Sequence, residues 1–149
     1  MKHYIIDGNN LIGKVKSLFR LQKKDGQSSR EKLAFMIDKF FYSKNAKVSI
    51  CFDGFMQFAI NTSKSRIFYS DKRSADEVIK NMIEQSRNPK LIVLVSSDRN
   101  LIQFAKVCHC DVITSEEFYK EISSKNAIDE ESEKRSSISN DEIKKLFGL

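Results

Sequence analysis

The chain reads as an α/β protein, a central and mainly parallel sheet with helices on both faces. Three observations support this reading. Short apolar runs alternate with segments of helical spacing along most of the chain. The run Leu91-Ile-Val-Leu-Val95 is continuously apolar, as a strand buried on both faces must be. Aspartates recur at or just past the ends of the apolar runs, where an open parallel sheet gathers its functional edge. At 149 residues with 40% hydrophobic content, the chain can bury most of the surface its unfolded form exposes, and its length fits one compact domain.

The first strand is expected over His3 to Ile6, ending at Asp7-Gly8-Asn9-Asn10, where Gly8 permits a tight turn and two amides follow. Leu33, Phe35, Met36, Ile37, Phe40 and Phe41 then recur at helical spacing, with Ser28 and Glu31 as a capping box ahead of them. A second strand is expected over Val48 to Phe52 and ends at Asp53, and a third over Ile67 to Tyr69. Ser74 and Glu77 form the next capping-box spacing, before Val78, Ile79, Met82 and Ile83. Pro89 ends that helix and turns the chain into the strand Leu91 to Val95, after which Ser96-Ser97-Asp98-Arg99-Asn100 crowds a strand-to-helix junction. A helix containing Leu101, Ile102, Phe104 and Ala105, a short strand at Val112 to Ile113 and a capping box at Thr114 and Glu117 complete a domain over residues 1–122.

Residues 123–137 hold one large apolar residue, and 123–138 read as a polar linker. Over 139–149, Ile143, Leu146 and Phe147 share one helical face, so a short amphipathic helix is expected there, docked on the domain or offered to a protein partner.

The net charge is +6, and the tail after residue 122 has 5 basic against 6 acidic residues, so the positive excess belongs to the folded part. That balance suits a nucleic-acid partner without proving one. No apolar stretch approaches the length of a membrane span, and the first apolar run is too short for a signal peptide. Three cysteines are an odd number for a disulfide framework and point to a reducing cytoplasm. Cys108, His109 and Cys110 lack the second ligand pair that a structural zinc site needs, so packing cysteines are expected.

The chemistry rests on four carboxylates. Asp7, Asp53 and Asp98 fall at the carboxyl edge of the sheet, and Asp76 joins them from the first turn of a following helix. Gathered like charges raise one another's pKa, and a hard divalent cation, Mg²⁺ or Mn²⁺, resolves the conflict. Each aspartate alone also suits a helix cap or a turn. Ser97 suits either a phosphate contact or an N-cap.

The strings Tyr4-Ile-Ile-Asp-Gly-Asn-Asn-Leu-Ile12, Phe52-Asp53-Gly54, Ser74-Ala-Asp-Glu-Val-Ile79 and Val95-Ser-Ser-Asp-Arg-Asn-Leu-Ile102 occur in the order found in NYN-domain ribonucleases. The chain most resembles the YacP-like subfamily within the PIN-like nuclease fold, over about residues 3 to 122. The resemblance implies a PIN-like three-layer sandwich. It also implies a metal-dependent endoribonuclease that hydrolyses RNA phosphodiester bonds, with Mg²⁺ or Mn²⁺ held by Asp7, Asp76 and Asp98. Asn10 and Ser97 are then the supporting polar groups, and Asp53 and Glu77 lie behind the metal ligands, Glu77 having a competing role in its capping box. Some bacterial relatives have an aromatic in the first motif where this chain has Asn9.

Single-stranded RNA is the substrate so implied, including messenger RNA handled in connection with ribosomes. Lys14, Lys64, Arg66, Lys72, Arg73 and Arg99 are candidate phosphate contacts, and Phe55, Phe58, Phe68 and Tyr69 suit either base stacking or the core. Competing readings on the same fold are a non-catalytic RNA- or ribosome-binding module, a metal-dependent phosphatase and a DNA-directed nuclease.

Overall fold

In the computed structural model, which describes residues 1–124, every strand is parallel to its neighbours. In chain order the elements are β1 (Lys2–Asp7), α1 (Gly8–Lys14), α2 (Lys16–Lys24), α3 (Gly26–Phe41), β2 (Ala46–Phe52), β3 (Ser65–Tyr69) and α4 (Ala75–Gln85). A 3₁₀ turn (Pro89–Leu91), β4 (Ile92–Val95), α5 (Arg99–Val107) and β5 (Asp111–Ile113) follow, then a last helix, α6, over residues 115–124. The five strands stand in the order β3-β2-β1-β4-β5. The chain builds outward from β1 on one side and returns to build on the other, so the topological switch point lies between β1 and β4.

Alternation along the central strands divides the interior into two cores. Ile6, Val48, Ile50 and Phe52 face α1, α2, α3 and α6 in a cluster with Leu11, Leu18, Leu33, Ile37, Phe41, Phe118 and Ile122. Ile5, Cys51, Ile92 and Leu94 face α4 and α5 in a second cluster with Val78, Ile79, Ile83, Leu101 and Ala105. The result is the three-layer α/β sandwich expected from the sequence. Burying the side chains of Ile5 and Ile6 contributes about 1.5–3 kcal/mol apiece.

Several boundaries differ from the sequence expectation. Leu91 belongs to the 3₁₀ turn and is exposed, because Pro89 opens that turn and β4 begins only at Ile92. Ser28 does not cap α3. Asp25 does, its carboxylate accepting from the Gln27 and Ser28 backbone N–H groups, and a charged acceptor outcompetes a hydroxyl. Ser74 caps α4 as expected, accepting from Glu77 N–H, and Thr114 accepts from Glu117 N–H. Residues 123 and 124 close α6, while the rest of the expected linker and the helix of 139–149 lie outside the described residues. All three cysteines are free. Burial pushes the Cys51 thiol up to about 12 and that of Cys110 up to about 11, which suits packing and opposes a thiolate ligand. No helix among the described residues is long and apolar enough to cross a membrane.

Candidate active site

The register that aligns Ile6 with Ile50 and Val95 brings the carboxyl ends of β1, β2 and β4 level, so the residues just beyond them meet at one edge. A cavity of about 350 Å³ opens there, lined by Asp7, Asn9, Asn10, Asp53, Ser74, Ala75, Asp76 and Asp98. All four aspartates singled out in the sequence thus share one wall-to-wall site, although they are spread over 92 residues of chain.

Asp7 is the buried member, only 8% exposed. Burial pushes its carboxyl up to about 6. The Ser96 hydroxyl pulls in the opposite direction, the Asp53 carboxylate adds to the rise, the Asn10 backbone opposes it, and Asp98 adds a further rise. Ser96 donates its hydroxyl to Asp7 Oδ2 at 2.9 Å and accepts the Asp98 backbone N–H at 3.1 Å, tying the first and last acids together. Asp98 itself caps α5, Oδ1 accepting from Leu101 N–H at 3.0 Å. Asp53 reaches across to accept the Ala75 N–H at 2.7 Å, so the end of β2 fixes the start of α4 and hence Asp76. Asp76 forms an ion pair with Lys80, 3.1 Å away and one helical turn on. Both partners are partly exposed, so the pair is worth only a few tenths of a kcal/mol.

The two amides are oriented by their own hydrogen bonds. Asn9 Oδ1 accepts from Asp53 N–H at 2.8 Å. Asn10 Oδ1 accepts from Ser97 N–H at 2.9 Å and from the Ser115 hydroxyl at 2.8 Å. With both oxygens so engaged, the NH₂ ends are the polar groups left for the cavity. Gly8 makes this placement possible, for a reason other than turn flexibility. A Cβ there would stand 2.5 Å from the Phe52 ring and 2.9 Å from the Cys51 carbonyl, so only glycine lets α1 start directly off β1 against β2.

Ser97 and Glu77 are not among the lining residues. The Ser97 hydroxyl donates to Glu116 at 2.7 Å and accepts from Ser115 N–H at 3.0 Å, so it holds the start of α6. Glu77 is exposed on the first turn of α4. Of the candidate cations, Lys72 and Arg73 stand exposed just ahead of Ser74, and Arg99 is exposed beside Asp98. Lys14 ends α1, away from Gly8. Lys64 is half-buried before β3, and Arg66 lies on β3 with its guanidinium 5.2 Å from the Phe68 ring centre.

Sequence reasoning missed Ser96, Ser115 and Glu116. Each acts through a partner 2.7–2.9 Å away that is 19 to 105 residues distant in the chain, which no local pattern marks.

The side-chain oxygens open to the cavity are hard carboxylate and hydroxyl donors with no sulfur or imidazole among the lining residues, a set suited to Mg²⁺ or Mn²⁺. The raised Asp7 carboxyl is the electrostatic strain that such a cation would relieve. As placed, no three His, Cys, Asp or Glu side chains among the described residues form a closed ligand cage. Mg²⁺ binds through one or two carboxylates and retained waters, so an open wall of acids fits it.

A parallel sheet in this order with acids at its switch point has the architecture of the PIN-like nucleases. Within them, the chain belongs to the family of the YacP-like NYN domain, whose family model matches residues 4–147. Among solved structures it is similar in fold to Rae1 (YacP) from Bacillus subtilis, at 18% identity and a TM-score of 0.76, covering 92% of this chain and 83% of that one. A mutant of the same protein gives 18% identity and a TM-score of 0.75, covering 92% and 85%. No curated protein matches the chain in sequence.

Proposed function

We propose that the protein is a metal-dependent endoribonuclease that hydrolyses RNA phosphodiester bonds at the cavity between β1, β2, β4 and α4. The observation behind this is the convergence of Asp7, Asp53, Asp76 and Asp98 on one open cavity beside two oriented amide NH₂ groups. Asp7, Asp76 and Asp98 would hold Mg²⁺ or Mn²⁺, with Asp53 behind them through its bond to Ala75. When bound, the cation supplies an acidified water and neutralises charge on the phosphate.

The chain's own groups do the rest. The Asn9 and Asn10 amides donate to phosphate oxygens, and Ser96 holds Asp7 against the cavity wall. Lys72, Arg73 and Arg99 hold flanking phosphates at the rim in a salt-dependent, sequence-independent way. Ser97 works as a positioning residue, its N–H fixing the Asn10 amide. The YacP-like membership extends the proposal to messenger RNA handled in connection with ribosomes.

The test is cleavage of end-labelled single-stranded RNA, free and ribosome-bound, with Mn²⁺ or with EDTA, and with matched DNA alongside. Internal RNA cuts that need metal, with DNA spared, are expected. Salt-sensitive binding without cleavage of either RNA would overturn the enzyme in favour of a binding module, and cutting of DNA as well would widen the substrate class.

A further inference from the structure

Residues 53–64, between β2 and β3, contain no helix or strand, and yet the segment is fastened to α3 at three places. The Arg30 guanidinium donates to the carbonyls of Asp53 at 2.5 Å and Phe55 at 3.0 Å. Gln27 donates to the Phe58 carbonyl at 3.1 Å. Asp38 accepts the backbone N–H groups of Ser63, Lys64 and Ser65 at 2.7–2.8 Å. Arg30 is itself fixed between two rings, its guanidinium carbon 5.4 Å from the centre of Phe52 and 5.5 Å from that of Tyr69. This loop therefore has a defined shape, and it spends that shape on holding Phe55, Met56 and Phe58 out into solvent, 60%, 56% and 71% exposed. In the sequence, Phe55 and Phe58 suited either base stacking or the core; the structure places them outside the core. Large apolar side chains grouped at the surface of a tethered loop mark a binding face.

The loop begins inside the candidate active site. Asp53 lines the cavity, and Phe55 is two residues on, at most about 7 Å along the backbone. Gly54, in the left-handed region at φ 84°, turns the chain there. Its N–H donates to Ser70 Oγ at 2.8 Å, and its carbonyl accepts the Asp71 N–H at 2.8 Å. Those bonds zip the aromatic loop to the segment bearing Lys72 and Arg73, which leads into Asp76. Acidic cavity, cationic rim and aromatic loop are thus contiguous through named hydrogen bonds.

On the strength of that contiguity, and resting on the ribonuclease reading, we infer that Phe55 and Phe58 form a stacking platform for unpaired RNA bases flanking the scissile phosphate. Aromatic faces beside cations are the means by which single strands are held without sequence readout, whereas a duplex keeps its bases stacked inside and offers the platform nothing. The enzyme's preference would then be for single-stranded RNA, set at this loop.

Binding measured by fluorescence anisotropy in EDTA, where no cleavage occurs, separates this inference from the nuclease reading. The ligands are a labelled single-stranded RNA, the same RNA with abasic sites, and a duplex, and the proteins are wild type, Phe55→Ala/Phe58→Ala and Phe55→Tyr/Phe58→Tyr. The expected result is a dissociation constant for single-stranded RNA raised about tenfold or more by the double alanine variant, with the salt slope unchanged and tyrosine restoring wild-type affinity. Wild type should bind the abasic strand as weakly as the alanine variant binds the intact one. Equal affinity of wild type and the alanine variant for intact single strands would overturn the platform, as would wild-type binding indifferent to base removal. In either case the loop would be assigned to a protein surface. Metal-dependent cutting by wild type, assayed separately, would stand or fall independently.

Discussion

Ser96, without solvent exposure, donates its hydroxyl to Asp7 Oδ2 at 2.9 Å, and even with that bond the Asp7 carboxyl lies at about 6. Its value in the unfolded chain is near 3.8, so the folded state binds the proton more tightly. The stability that comes from this proton is complete below pH 3.8 and is lost as pH rises through about 6. Asp7→Asn removes the titration and keeps an acceptor for Ser96. In EDTA, urea denaturation should show the variant gaining on wild type between pH 4 and 6 and levelling off above. A shift of that size corresponds to about 2–3 kcal/mol at pH 7.5. A gap that does not change with pH would mean that Asp7 is not the strained group.

If the cavity holds a divalent cation as proposed, the same strain would couple its binding to the stability of the fold. A cation that binds only the folded form adds about 2.7 kcal/mol at a hundred times its dissociation constant, a rise in Tm of about 5–10 °C for a chain of this size. Titration with Mn²⁺ should raise the Tm of wild type and then saturate, EDTA should reverse it, and Asp7→Asn should blunt the response. An equal response in both proteins would place the ion elsewhere.

How much of this was legible in the sequence follows from how far apart the determinants lie. β4 is an uninterrupted apolar run and β1 and β2 hold shorter ones, and the acids at or after their ends are local to those runs, so the sheet and its acidic edge could be read directly. The cap of α3 could not, because Ser28 and Glu31 imitate a capping box while Asp25, three residues earlier, holds the N–H groups. The helices α1 and α2 are short and separated at Val15 by a single extended residue, without glycine or proline at the break to announce it. The orientation of Asn9, Asn10 and Ser97 depends on partners brought in by strand register, and register across 44 or more residues leaves no trace in a local pattern.

Asp98 has two roles that a substitution can separate. Its carboxylate caps α5 and lines the cavity. Asparagine is as good a cap, so Asp98→Asn should keep the wild-type Tm in EDTA within about a degree while lowering metal-dependent RNA cleavage by about a hundredfold or more. Asp98→Ala should lose the same activity and about 1 kcal/mol of stability besides. If asparagine retained full cleavage, the charge at this position would be dispensable, and the role of Asp98 would be that of a cap alone.

Gly8 gives the sharpest test of whether the site depends on the approach of α1 to β2. Adding a single methyl group in Gly8→Ala forces a contact of 2.5 Å with the Phe52 ring, and because the Cys51 carbonyl closes the other side at 2.9 Å, backbone must move as well as side chain. Overpacking of this kind costs about 1–3 kcal/mol. The displaced end of α1 bears Asn9 and Asn10, so the hydrogen bonds from Asp53, Ser97 and Ser115 that orient them would lengthen together. The variant should therefore lose stability in urea and, under conditions where it is still folded, lose cleavage out of proportion to that loss. Gly13→Ala is the control, since a Cβ there meets nothing within 4 Å and alanine favours the helix. Equal behaviour of the two variants would show that the junction of β1 and α1 tolerates movement and that the cavity is assembled by the remaining strands alone.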